Sequence, residues 1–110
     1  MSAPLTNIGA LNRRLMLEAP AETADGAGGV TRDYATEAML WAQVTPGFAR
    51  ADVAADSLGV TLRYRIAIRA RGGITTRHRL RDGARIYRIV AVRESAGRRF
   101  LEIDAEERKD

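Results

Sequence analysis

A chain of 110 residues and 12.1 kDa has room for one domain with a modest core and none for a second. Hydrophobic residues make up 45% of it, charged residues 29% and aromatics only 5%, which excludes wholesale disorder and implies a core of Leu, Ile, Val and Ala. The net charge of +4 is unevenly spread: residues 1–60 carry four Arg against seven acids, residues 61–99 twelve Arg against two, and residues 100–110 two bases against five.

The opening "MSAPLTNIGALNRRLM" has no basic segment followed by a long apolar run, and nowhere do eighteen apolar residues follow one another. Neither a signal peptide nor a membrane span is expected. Residues 11–17 alternate as a strand, with Leu11, Leu15 and Leu17 on one side and Arg14 and Met16 on the other. Residues 20–33, rich in Gly and small polar side chains, read as a flexible loop. A second strand spans residues 37–44, with Leu40, Ala42 and Val44 facing one way and Met39, Trp41 and Gln43 the other. Pro46 and Gly47 end it, and the Ala-rich stretch Phe48–Ser57 reads as a short helix or ordered loop, so residues 46–58 form a helix/loop element.

From Val60 to Ala70 apolar residues alternate with Arg63, Arg65 and Arg69, and Arg71 follows. Gly72-Gly73 is expected to turn this strand back into residues 74–81, with Ile74, His78 and Leu80 inward and Arg77, Arg79 and Arg81 outward. Asp82-Gly83 is a strong two-residue hairpin signal. In the strand that follows, Tyr87 and Ile89 keep one register while Val90 and Val92 keep the other, which a bulge near Ile89-Val90 reconciles. The last strand carries Leu101, Ile103 and Ala105 inward and Glu102 and Asp104 outward. About six strands with one short helix and long loops predict a mainly β fold: a small antiparallel β-barrel in a single domain, residues 1–110, closed to avoid exposed edges.

On this reading Arg63, Arg65, Arg69, Arg71, Arg77, Arg79 and Arg81 project from neighbouring strands as one basic surface. A salt-screened solvated face is the plain explanation and a partner surface the preferred one. Catalytic chemistry finds no candidates. No cysteine is present and the single histidine, His78, falls on an inward face; no metal-ligand cluster, phosphate loop or nucleophile elbow occurs. "GAGG" at residues 26–29 lacks the Lys and the helix of a phosphate loop, so catalytic residues, metals and cofactors are all expected to be absent. The acidic residues Glu102, Asp104, Glu106 and Glu107 are expected to meet solvent or a basic neighbour. A stand-alone basic barrel that binds nucleic acid is the alternative, weakened by the shortage of aromatics for stacking bases.

In order along the chain, "IGALNRRLML", the Gly-rich insertion, "LWAQV", "VTLRYRIAIR", "DGARIYRIVAV" and "RRFLEIDAEE" resemble the head-closure, or head-tail stopper, proteins of tailed phages. The Arg- and Ala-rich composition is most similar to the version found in gene transfer agents of alphaproteobacteria. The resemblance implies a non-enzymatic neck protein of a virion-like particle, assembled in the bacterial cytoplasm. It implies a ring of six or twelve copies between the portal-adaptor complex of the head and the tail terminator, around a channel holding double-stranded DNA that is touched without sequence preference. It also makes the segment after "LWAQV" the candidate channel gate, carried by Pro46, Gly47, Phe48, Arg50 and Asp52, although relatives often have Gly-Arg-Glu where this chain reads Gly47-Phe48-Ala49-Arg50. Arg63, Arg65, Arg69, Arg71, Arg77, Arg79 and Arg81 are then candidates for subunit, ring or DNA contacts.

Overall fold

A computed structural model describes residues 8–54 and 57–109. Six strands, β1 (Arg13–Ala24), β2 (Val30–Ala54), β3 (Ser57–Arg69), β4 (Arg79–Asp82), β5 (Arg85–Glu94) and β6 (Phe100–Lys109), are joined by loops and by 3-10 turns at Ile8–Ala10 and Ala96–Arg98. All pairings are antiparallel, and the order β1-β2-β3-β6-β5-β4 closes into a barrel where β4 returns to β1. The expected mainly β barrel is therefore the fold.

The alternation read from the sequence places the core. Leu15, Leu17, Ala42, Ile66, Ile68, Leu80, Tyr87, Leu101, Ile103 and Ala105 are buried and pack together, whereas Met39 and Trp41 on the other side of β2 are exposed. The bulge in β5 is where the phase slip put it. Ile89 pairs with Ala105 and Ala91 with Asp104, so Val90 is the extra residue and turns outward.

β2 is the spine of the molecule. Its first half pairs with β1 and its second with β3, and Ala42 is matched on both edges. Twenty-five residues of straight strand would run roughly 80 Å, yet the longest dimension of the protein is 51 Å. The strand therefore bends, at two register shifts: opposite Leu17/Glu18 and between Pro46 and Ala49. At the second, a Cβ on Gly47 would lie 3.2 Å from the Arg63 carbonyl oxygen, a spacing that favours glycine.

Three expectations are corrected. Residues 20–33 form a ribbon rather than a loop: β1 and β2 stay paired out to Ala24↔Val30, and Asp25 closes the turn by accepting from the Ala27 and Gly29 amides at 2.8 and 3.1 Å. Gly26 and Gly28 supply the positive φ this turn needs. The short helix over Phe48–Ser57 is also absent. Ala49–Ala54 instead pairs with Ser57–Leu62 as a second ribbon, because some ten Ala-rich residues are marginal as a helix while β3 offers them a full ladder of backbone partners. Finally, β3 does not turn back onto β4. Both its edges are already taken, by β2 and β6, so after Arg69 the chain leaves the sheet and β4 shrinks to Arg79–Asp82 against β1 and β5.

Candidate functional site

This topology redistributes the arginines. β3 and β4 are not neighbours, so the seven candidates do not form one basic surface. Each group meets its own carboxylates instead. Along the β3–β6 seam Arg63 pairs with Glu106 at 2.8 Å, and Arg65 lies 3.8 Å from Asp104. Arg93 on β5 holds Asp104 through two hydrogen bonds, 2.7 and 3.2 Å, and reaches Glu102 at 3.4 Å. The bonds from Arg93 hold the Asp104 carboxyl below its usual range against the opposing effect of burial. The acidic last strand is thus the counter-charge of the basic middle within the same chain.

At the β1–β4 seam Glu18 is almost fully buried and accepts from Arg79 Nε at 2.8 Å and Arg81 Nε at 2.7 Å. Burial pushes its carboxyl up, but the bonds from Arg81 and Arg79 outweigh that and hold it below the ordinary carboxylate value. Arg13 on β1 pairs with Asp82 on β4 and reinforces the same closure. The seam needs this support, since only Met16, Leu17 and Glu18 pair with β4.

A third cluster was not legible from spacing. Glu107 continues the inward phase of β6 and is buried, where Arg85 grips it with two bonds of 3.1 and 2.9 Å. Tyr64 donates its hydroxyl to Glu107 at 3.0 Å and packs edge-on against Tyr87, ring centroids 5.1 Å apart. Burial first, and then the neighbouring Glu107, raise the Tyr64 hydroxyl pKa, while the bond to Glu107 raises that of Arg85. The partnership of Tyr64, Arg85 and Glu107 depends on strand pairing across forty residues, which a local pattern does not carry.

His78 has a structural task. Its Nδ1 accepts from the Thr75 amide at 3.2 Å, which leaves Nε2 to carry the proton toward Glu37 Oε1 at 3.4 Å. Both nitrogens are engaged in holding the loop after β3. Among the described residues no three His, Asp or Glu converge as metal ligands, and no helix is long and apolar enough to cross a membrane.

Two features project from this frame. One is the end of the β2–β3 pair, which runs past β6 from Asp52 and Gly59 outward; of the five candidate gate residues Asp52 lies on it, and the other four lie at its base, where β3 is also paired with β6. Pro46 pairs with Tyr64, Arg50 with Thr61 and Asp52 with Gly59, and Gly47 and Phe48 form the bulge; the side chains of Phe48, Arg50 and Asp52 lie outside the described residues. The other is the β1–β2 ribbon, at whose root opens a cleft of about 360 Å³ lined by Pro20, Tyr34, Arg77, Arg79, Ile86 and Arg88 among others. There the Arg79 guanidinium stacks over the Tyr34 ring, 3.8 Å from its centroid. Of the seven candidate arginines, Arg63, Arg65, Arg79 and Arg81 have carboxylate partners in the chain. Arg69, Arg71 and Arg77 are exposed and have none among the described residues.

Comparison with known proteins adds a family. The family model described as phage head completion protein matches residues 6–108. Among solved structures, a chain from the virion of a native gene transfer agent particle superposes with a TM-score of 0.79 at 33% identity, over 88% of this chain and 94% of that one. The solution structure of protein SF1141 from Shigella flexneri 2a superposes with a TM-score of 0.67 at 26% identity, over 93% and 96%. No curated protein matches the sequence.

Proposed function

Because this chain belongs to the phage head completion protein family, a family of structural proteins, we propose that it acts in the neck of a gene-transfer-agent-like particle. There it forms a ring that joins the portal-adaptor complex of the head to the tail and closes the DNA channel after packaging. Its partners are further copies of itself, the adaptor or portal ring on one side and the tail terminator on the other, with packaged double-stranded DNA held in the lumen. Assembly takes place in the cytoplasm of the producing bacterium, and the role involves no catalysis.

The observation that carries this reading is the β2–β3 ribbon. Asp52–Ala54 and Ser57–Gly59 run past the last β3–β6 pair and are matched only with each other, a two-stranded projection from a barrel that already has its core. An isolated ribbon of this kind is marginally stable alone, so holding one out is a cost that suits a segment meant to meet something else. Ringed around an axis, such ribbons can obstruct a channel, with Pro46, Gly47, Phe48, Arg50 and Asp52 setting their bend and charge. The alternative of a stand-alone nucleic-acid-binding barrel needs a continuous basic face, and the ion pairs of Arg63, Arg65, Arg79 and Arg81 work against one.

The test shortens the ribbon without touching the barrel. Ala51 pairs with Val60, so replacing residues 52–59 by an Asn-Gly turn closes the hairpin at that point. Particles carrying this variant should contain the protein and attach tails, yet lose most of their packaged DNA, measured as nuclease-resistant DNA per particle. Unchanged DNA retention would remove the gate from the proposal.

A further inference from the structure

The cleft at the root of the β1–β2 ribbon is charged in a way the barrel does not explain. Arg77 and Arg88 line it with no carboxylate partner among the described residues, beside Arg79, whose charge is shared with Glu18. Its remaining walls are the apolar or aromatic Pro20, Tyr34 and Ile86 and the polar Thr76 and His78. Like charges brought together around a concave surface favour an anionic occupant.

The ribbon that rises from this cleft has the opposite character. Residues 19–34 contain Glu22, Asp25 and Asp33 against Arg32 alone, and its tip exposes Val30 beside the Asp25 turn. Beyond Glu18 the β1 strand has no partner but β2, so this is again a two-stranded ribbon in want of support. It cannot supply that support to its own cleft. Pro20 lies at the root and Asp25 at the tip, about 17 Å apart along a strand, and a paired ribbon does not fold back on itself within that length.

We propose that the cleft formed by Arg77, Arg88, Tyr34 and Ile86 receives the acidic tip of the β1–β2 ribbon of a second copy of this chain. The Asp25 carboxylate at the tip meets Arg77 and Arg88, and Val30 packs toward Ile86 and Pro20. Tip and cleft are different surfaces of one molecule, so the contact is head-to-tail, and repetition of a head-to-tail contact around an axis closes a ring. The inference rests on the ring reading above and names the joint between subunits. Duplex DNA is a poorer occupant, because its phosphates would run along a ribbon bearing Glu22, Asp25 and Asp33.

The chain has no cysteine, which makes paired cysteines a clean probe. In particles from cells producing Ala27→Cys together with Thr76→Cys, oxidation should give a disulfide ladder of this chain ending at the closed ring; each single variant should stay monomeric. Val30→Cys with Ile86→Cys repeats the test at a second depth of the cleft and leaves Arg77 and Arg88 in place. If both pairs stay monomeric while the neck holds a ring of the chain, the joint is wrong and the ring reading stands. Particles holding one copy or none defeat the ring reading itself. A Thr76→Cys thiol shielded from maleimide only in DNA-filled particles would assign the cleft to phosphate and overturn the proposal.

Discussion

Replacing Arg79 and Arg81 together by methionine lowers the unfolding free energy by about 3–5 kcal/mol, the range for stripping the partners from a buried charge. For a domain of this size that is a fall in Tm on the order of 15–20 °C. Glu18 decides the size of the effect. Its side chain is 5% exposed, and methionines of similar length keep it covered, so the carboxylate cannot turn to water when its two donors are gone. Glu18→Ala costs less, about 2 kcal/mol, since the orphaned guanidiniums are 28% and 37% exposed and regain solvent. The two variants also part company in acid. In the native protein the folded-state pKa of Glu18 is depressed, so its contribution is present above the unfolded value and is lost as pH falls through the folded one, below roughly pH 4. In the double variant burial acts alone and raises that pKa, so the sign inverts, and lowering the pH toward 4 recovers stability. Urea unfolding of both variants between pH 7 and pH 4 measures this directly. Equal losses, or parallel pH profiles, would mean that Glu18 does not hold the seam.

Tyr87→Ala is the other large loss, about 3–5 kcal/mol by the usual cost of removing a buried aromatic. Tyr87 is fully buried at the centre of the barrel, edge-on to Tyr64 and beneath the Arg85 guanidinium, 5.4 Å from its ring. Removal empties a large volume and takes away the surface on which Arg85 is positioned to grip Glu107. Tyr87→Phe keeps the ring and should stay within about 1 kcal/mol of the native protein. Thermal unfolding of the pair separates ring packing from the hydroxyl, and a Phe variant as unstable as the Ala variant would contradict the assignment.

The strands were legible where burial enforces alternation. Leu15 and Leu17, Ile66 and Ile68, and Leu101, Ile103 and Ala105 sit inward as their spacing predicted, and the slip from Ile89 to Val92 located the bulge. What alternation does not encode is which strand lies beside which. Gly72-Gly73 looked like a hairpin because a turn signal carries no information about whether the edge behind it is already occupied. Once β6 returns to β3, the acids of β6 neutralise Arg63 and Arg65, and the supposed basic sheet disappears. The Ala-rich segment after Phe48 misled for a related reason: intrinsic helix preference, a few tenths of a kcal/mol per residue, is outweighed by a ladder with β3. The gate and arginine residues were named from family resemblance and charge. The Arg77–Arg88 cleft draws on a loop, two strands and the root of a ribbon at once, and no local pattern in the sequence marks it.

A symmetric reconstruction of the neck in particles from the producing cell, with this chain traced in the density, examines the central claim directly. The account expects a closed ring of six or twelve copies between head and tail, with the β2–β3 ribbons pointing into the channel. A ring whose ribbons face outward, or a neck built without this chain, would contradict it.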